Sequence, residues 1–172
     1  MVTSSDRSNG HSPTSRRWRT GWAGPGLHIA EVVAAEVAAA GYRTVGILGT
    51  RWTMESDLYP RAFADHGIAP RVPDEEARIM IQDLTFKELT NGVLTDDTRR
   101  RFTDVISDLA DDGCDAVALV CTEFPLLLPP SSSPLPTLES TVLLANAAAD
   151  LAMDDTGSLP VWRGGRAEAV TG

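Results

Sequence analysis

The chain has 172 residues, 42% hydrophobic and 23% charged, with a formal net charge of -9 and a pI near 4.7. That length suits one ordinary domain with a packed core, and the acidic balance argues against nucleic acid or an anionic membrane surface as a partner. No apolar run reaches bilayer-spanning length, the N-terminus lacks the apolar core of a secretory signal, and two cysteines make neither a disulfide framework nor a zinc site.

Residues 1–26 are rich in Ser, Thr, Gly and Arg and show no apolar period. Their composition resembles an organellar transit peptide, but the amphipathic stripe is missing, so the reading is a disordered tail or translated sequence upstream of the domain. Leu27 to Ala40 is expected as a helix stopped by Gly41. Thr44 to Leu48 suits a buried parallel strand bounded by Gly49. Thr53 to His66 reads as a helix, capped by Thr53 and ended by Gly67. Ile68 to Val72 follows as a strand closed by Pro73. Asp74 opens a helical stretch through Leu89, with Glu75 and Glu76 at its positive end. Asn91-Gly92 breaks it, and a helix starting at Asp96 or Asp97 runs to about Asp112, with Phe102, Val105, Ile106 and Leu109 on one stripe. Ala116 to Val120 is a continuously apolar strand. A loop covers Pro129 to Pro134, an extended piece Pro136 to Leu138, and a last helix runs from Ser140 to about Met153. Residues 154–172 read as a second flexible tail. Strands alternating with helices imply an α/β domain over 27–153, a parallel sheet flanked by helices.

In such sheets ligands bind beyond the carboxyl ends of the strands. Two polar clusters fall there: Gly49 to Glu55 after the first strand, and Cys121-Thr122-Glu123 after the strong one. Backbone N–H groups at a strand end before a helix start favour a thiolate, so Cys121 is expected as a low-pKa site thiolate rather than a small buried hydrophobe, with Glu123 as acceptor or general acid. Thr50, Thr53 and Thr122 offer hydroxyls that could cap a helix or hold a carboxylate. Cys114 lies seven residues earlier, roughly 20 Å away along an extended strand, so the two thiols can neither bridge nor share a substrate, and Cys114 reads as structural. Arg51 reads as solvated, and His28 and His66 as surface or helix-end residues. No dinucleotide fingerprint, phosphate loop or other cofactor motif is present, and no metal site is expected.

Several stretches resemble the aspartate/glutamate racemase family: Leu27 to Ala30, the run VGILGTRWTMESDLY from Val45 to Tyr59, Val72 to Glu76, LVCTEFPLL from Leu119 to Leu127, and Glu139-Ser140-Thr141. The resemblance implies one half of a pseudo-symmetric two-domain α/β fold that works without pyridoxal cofactor. One cysteine from each half would act on opposite faces of the substrate α-carbon. Cys121, with Glu123, matches the second-half catalytic group; Thr50, Thr53 and Thr122 match the substrate side. It implies a cytoplasmic isomerase acting on an acidic amino acid. The family's first half and its cysteine have no counterpart here, a frequent basic residue is Thr90, and a frequent histidine is Leu144. The last helix would then expose Val142, Leu143, Ala147 and Leu151 and favour self-association. Two other readings stay open: a single-cysteine decarboxylase or cis–trans isomerase of the same superfamily, and a silent remnant that binds a partner subunit.

Overall fold

Residues 27–153 are described in this computed structural model; the tails expected at 1–26 and 154–172 lie outside the described residues. Helix α1 (Ile29–Ala40) buries Ala30, Val33, Ala34 and Val37 as one stripe. It ends at Gly41, whose φ of 80° lets the chain turn back so that the Gly41 and Tyr42 N–H groups reach the last-turn carbonyls. Strand β1 (Thr44–Leu48) follows, then two short helices, α2 (Arg51–Met54) and α3 (Leu58–Ala64), and strand β2 (Ala69–Arg71). Helix α4 (Glu75–Lys87) is capped by Asp74, which accepts the Ala77 N–H at 2.8 Å. After a single 3-10 turn, α5 (Asp96–Asp111) starts at the expected Asp96 and is capped by Thr95, which accepts the Thr98 N–H at 3.0 Å. Strand β3 (Ala116–Leu119), the short α6 (Phe124–Leu127), strand β4 (Thr137–Glu139) and α7 (Ser140–Met153) complete the fold.

The one helix expected from Thr53 to His66 is two helices, and Thr53 caps neither: it lies inside α2, with Thr50 at the cap position. Pro60 is the reason. It has no N–H and its ring would meet the carbonyl four residues back, so it fits only in the first turn of a new helix. Pro60 is the third residue of α3, and the Ser56 hydroxyl closes the turn between the helices by donating to the Thr53 carbonyl at 2.8 Å.

All four strands are parallel, in the order β2-β1-β3-β4. The pleat sorts the core into two layers. Val45 and Ile47 of β1 and Ala116 and Ala118 of β3 face α1 and α3, while Leu48, Val117 and Leu119 face α4 and α5. Phe102 and Phe124 meet edge to face at 5.0 Å in the second layer. Helix α7 is less bare than expected, because it packs against α1: Leu143, Ala147 and Leu151 are half-buried, while Val142 and Met153 remain exposed.

Candidate active site

The strand order makes a switch point. From β1 the chain leaves toward β2, through α2 and α3; from β3 it leaves toward β4, through α6. Two neighbouring strands whose connections diverge leave a crevice at their carboxyl ends, where open α/β sheets place their ligands. Leu48 pairs with Leu119, and the Val120 N–H donates to the Leu48 carbonyl at 2.8 Å. Both sequence clusters therefore emerge side by side on one edge.

Gly49 lets them approach. A Cβ there would lie 2.7 Å from Val120 Cγ2 and 3.3 Å from Thr53 Cβ, so only a glycine fits without displacing a neighbour. The Thr50 and Thr53 hydroxyls hydrogen-bond to each other at 3.0 Å, and neither side chain caps the backbone of α2. The loop is pinned by Gln82 of α4, whose Oε1 accepts the Arg51 N–H at 2.8 Å. Sequence reading missed Gln82; a half-buried amide beside the core residue Ile81 was its only signal. Arg51 itself is held by Glu55 at 2.7 Å, with Glu75 at 3.8 Å.

On the β3 side, Cys121 is half-buried and its thiol donates to Glu123 Oε2 at 3.0 Å; the Thr122 hydroxyl donates to the same oxygen at 2.9 Å. These two donors hold the Glu123 carboxyl below the usual carboxylate range. The thiol moves the opposite way. Burial, and then the Glu123 carboxylate, push it up to about 12, outweighing the backbone N–H groups of Glu123 and Thr122, which favour thiolate. The expected low-pKa thiolate is thus corrected: in the free site the proton sits on sulfur and the charge on Glu123.

The remaining candidates stand apart. Cys114 is buried in the α4/α5 layer at the other end of β3, and burial raises its pKa. Thr90 is exposed and donates to the Phe86 carbonyl at 3.1 Å. Leu144 is half-buried on α7, His28 stands at the N-cap of α1, and His66 is exposed. A groove of about 260 Å³ runs between α4 and α5 rather than at the switch point. Its lining includes Asp74, Glu76, Asp104 and Asp108 with only Arg101 opposed, which disfavours an acidic ligand. Among the described residues no group of three or more His, Cys, Asp or Glu side chains could hold a metal ion, and no helix is long and apolar enough to cross a membrane.

Fold and edge together define a parallel α/β protein, helices on both faces, with a thiol, three hydroxyls and a carboxylate on the two loops that leave neighbouring strand ends. The chain belongs to the Asp/Glu/Hydantoin racemase family, whose model matches residues 11–148. It is similar to a solved structure from Yersinia pestis described as a candidate Asp/Glu racemase, at 33% identity and a TM-score of 0.71, covering 74% of this chain and 56% of that one. An aspartate racemase homologue from Pyrococcus horikoshii OT3 is 26% identical with a TM-score of 0.69, over the same 74% and 56%. The aspartate racemase of Picrophilus torridus, at 23% identity and a TM-score of 0.55 over 72% and 51%, shares the fold. The chain thus spans about half the length of the solved relatives it matches.

Proposed function

We propose that the chain carries one half of a cofactor-independent amino-acid racemase site of the aspartate/glutamate type, working in the cytoplasm. What supports this reading is that the loops carrying Thr50 and Thr53 and carrying Cys121, Thr122 and Glu123 leave neighbouring ends of β1 and β3 on one edge. The Thr50, Thr53 and Thr122 hydroxyls would donate to the substrate carboxylate as charge builds on it. Cys121 is the acid–base group. As donor it gives its proton to an α-carbanion; as base it first passes that proton to Glu123, then takes the α-proton, leaving the electron pair on the carbon. Glu123 is the proton relay in both directions.

The test is proton NMR in D₂O, following the α-proton signal of aspartate and of glutamate. Folded protein is expected to exchange that proton, and folded Cys121→Ala is not. Equal exchange by both, or none from the wild type, would count against the reading.

The hydrogen bond that the Cys121 thiol donates to Glu123 supports one further reading, a decarboxylase in which the thiol only donates. There a carbon–carbon bond breaks, CO₂ leaves, and the resulting carbanion takes the thiol proton. CO₂ release from a dicarboxylic acid, without α-proton exchange of amino acids, would identify it.

A further inference from the structure

The turn that carries Thr50 and Thr53 has little to hold it in place from within. Helix α2 is four residues long, and so short a helix closes few hydrogen bonds of its own. Thr50 stands at its N-cap, and the Thr50 carbonyl accepts the Thr53 and Met54 N–H groups, each at 3.0 Å. A threonine hydroxyl at that position ordinarily turns onto the backbone N–H groups of the first turn. Here it meets the Thr53 hydroxyl at 3.0 Å instead, and no side chain of the turn caps the helix.

The first N–H of α2 is taken from the side. Gln82 of α4 accepts the Arg51 N–H through Oε1 at 2.8 Å, in a part-buried bond. Only the oxygen of a side-chain amide can accept an N–H, so this bond also fixes which way the amide is turned. Gln82 is a firm support: Ile81 and Thr85 on either side of it are buried, and the Thr85 hydroxyl donates to the Ile81 carbonyl at 2.7 Å. The other links between α2 and α4 are weaker. Glu55 meets Arg78 at 3.4 Å and Arg51 meets Glu75 at 3.8 Å, both in exposed surroundings where ion pairs contribute little. Trp52 packs edge-on against Phe86 at 5.8 Å, with both rings exposed.

We infer that Gln82 is a positioning residue for the Thr50–Thr53 loop: by taking the Arg51 N–H it holds α2 where the two hydroxyls bond to each other rather than to the backbone, and so remain free to turn to a ligand carboxylate. The identity of that ligand rests on the racemase reading. Among the described residues the Gln82 side chain bonds to the β1 loop, whereas Cys121 stands on the β3 loop. Loss of Gln82 should therefore weaken substrate binding more than it slows proton transfer.

The test uses the full 172-residue chain with Gln82→Leu, which lacks an acceptor, and Gln82→Glu, which keeps one. Amide hydrogen exchange by NMR reads the loop, and α-proton exchange of L-aspartate and L-glutamate in D₂O reads the site. In Gln82→Leu the Arg51 amide should exchange about ten-fold faster, as expected for one lost hydrogen bond, while Gln82→Glu keeps the wild-type rate. KM for α-proton exchange should rise about ten-fold in Gln82→Leu, with kcat changed less than KM. Combined with Thr50→Val, the two losses should be less than additive, because one acts through the other. A role in stability alone would move the urea midpoint without that coupling. An Arg51 amide that exchanges no faster in Gln82→Leu overturns the inference, as does an unchanged KM, a kcat loss larger than the KM change, or full additivity with Thr50→Val. Folded wild type that exchanges the α-proton of neither acid overturns the racemase reading instead, and the Arg51 amide rate then decides the positioning on its own.

Discussion

Gly49→Ala tests the close approach on which the site depends. The added methyl would sit 2.7 Å from Val120 Cγ2 and 3.3 Å from Thr53 Cβ, whereas carbon atoms pack comfortably at about 3.5–4.0 Å. Val120 is β-branched, with few χ1 choices, and its N–H is bonded to Leu48 at 2.8 Å. Relief must therefore come from the β1–β3 backbone or from Thr53. Gly46→Ala is the control: its methyl would lie 2.8 Å from Leu109 Cδ1, the far end of a side chain that can rotate away. Overpacking costs typically about 1–3 kcal/mol, and we expect Gly49→Ala near the top of that range and Gly46→Ala near the bottom. With a urea dependence of about 1–3 kcal/mol per molar, the Gly49→Ala midpoint should fall by about 1–3 M in circular-dichroism melts. Adding Val120→Ala removes the clashing methyl, so the double variant should recover at least about 1 kcal/mol relative to additivity. A loss below about 0.5 kcal/mol, or strictly additive behaviour, would refute the reasoning.

Four further outcomes are expected. Glu123→Gln should lower the Cys121 pKa from about 12, because the carboxylate that raises it is gone; thiolate absorbance against pH in a Cys114→Ala background reads this directly. For the wild type, the raised thiol pKa contributes stability that is present below the ordinary value of 9.0 and lost as pH climbs toward about 12, since the unfolded chain releases its proton first; urea midpoints should fall over that window, and less so in Cys121→Ala. Cys114→Ala should leave α-proton exchange largely intact, and losses equal to those of Cys121→Ala would overturn the site assignment. Phe102→Ala removes a fully buried ring packed on Phe124 and should cost about 3–5 kcal/mol in chemical melts.

The local signals were legible in the sequence because they act over three or four residues. Asp74 caps the helix it was expected to open, Gly41 turns the chain with positive φ, and the apolar runs at β1 and β3 pair as parallel neighbours. The α5 stripe of Phe102, Val105, Ile106 and Leu109 is buried as its spacing implies. Thr53 opens no helix running to His66, because such a helix would place Pro60 in its interior against the carbonyl four residues back. Family membership was also legible, since the matched stretches carry loop residues and not only core pattern.

Other features required the chain to close on itself. That α1 covers one side of α7, that Gln82 holds the loop carrying Thr50 and Thr53, and that Gly49 yields space to Val120 all depend on residues distant in sequence. The protonation of Cys121 shows the division most clearly. Sequence placed a thiol at a strand end beside a glutamate, and backbone N–H groups at such an end favour charge on sulfur. Only the folded geometry turns the Glu123 carboxylate back onto Sγ and buries the thiol beside it, so that the proton stays on sulfur. Burial and hydrogen-bond direction are properties of the assembled fold, whereas residue type and spacing belong to the chain alone.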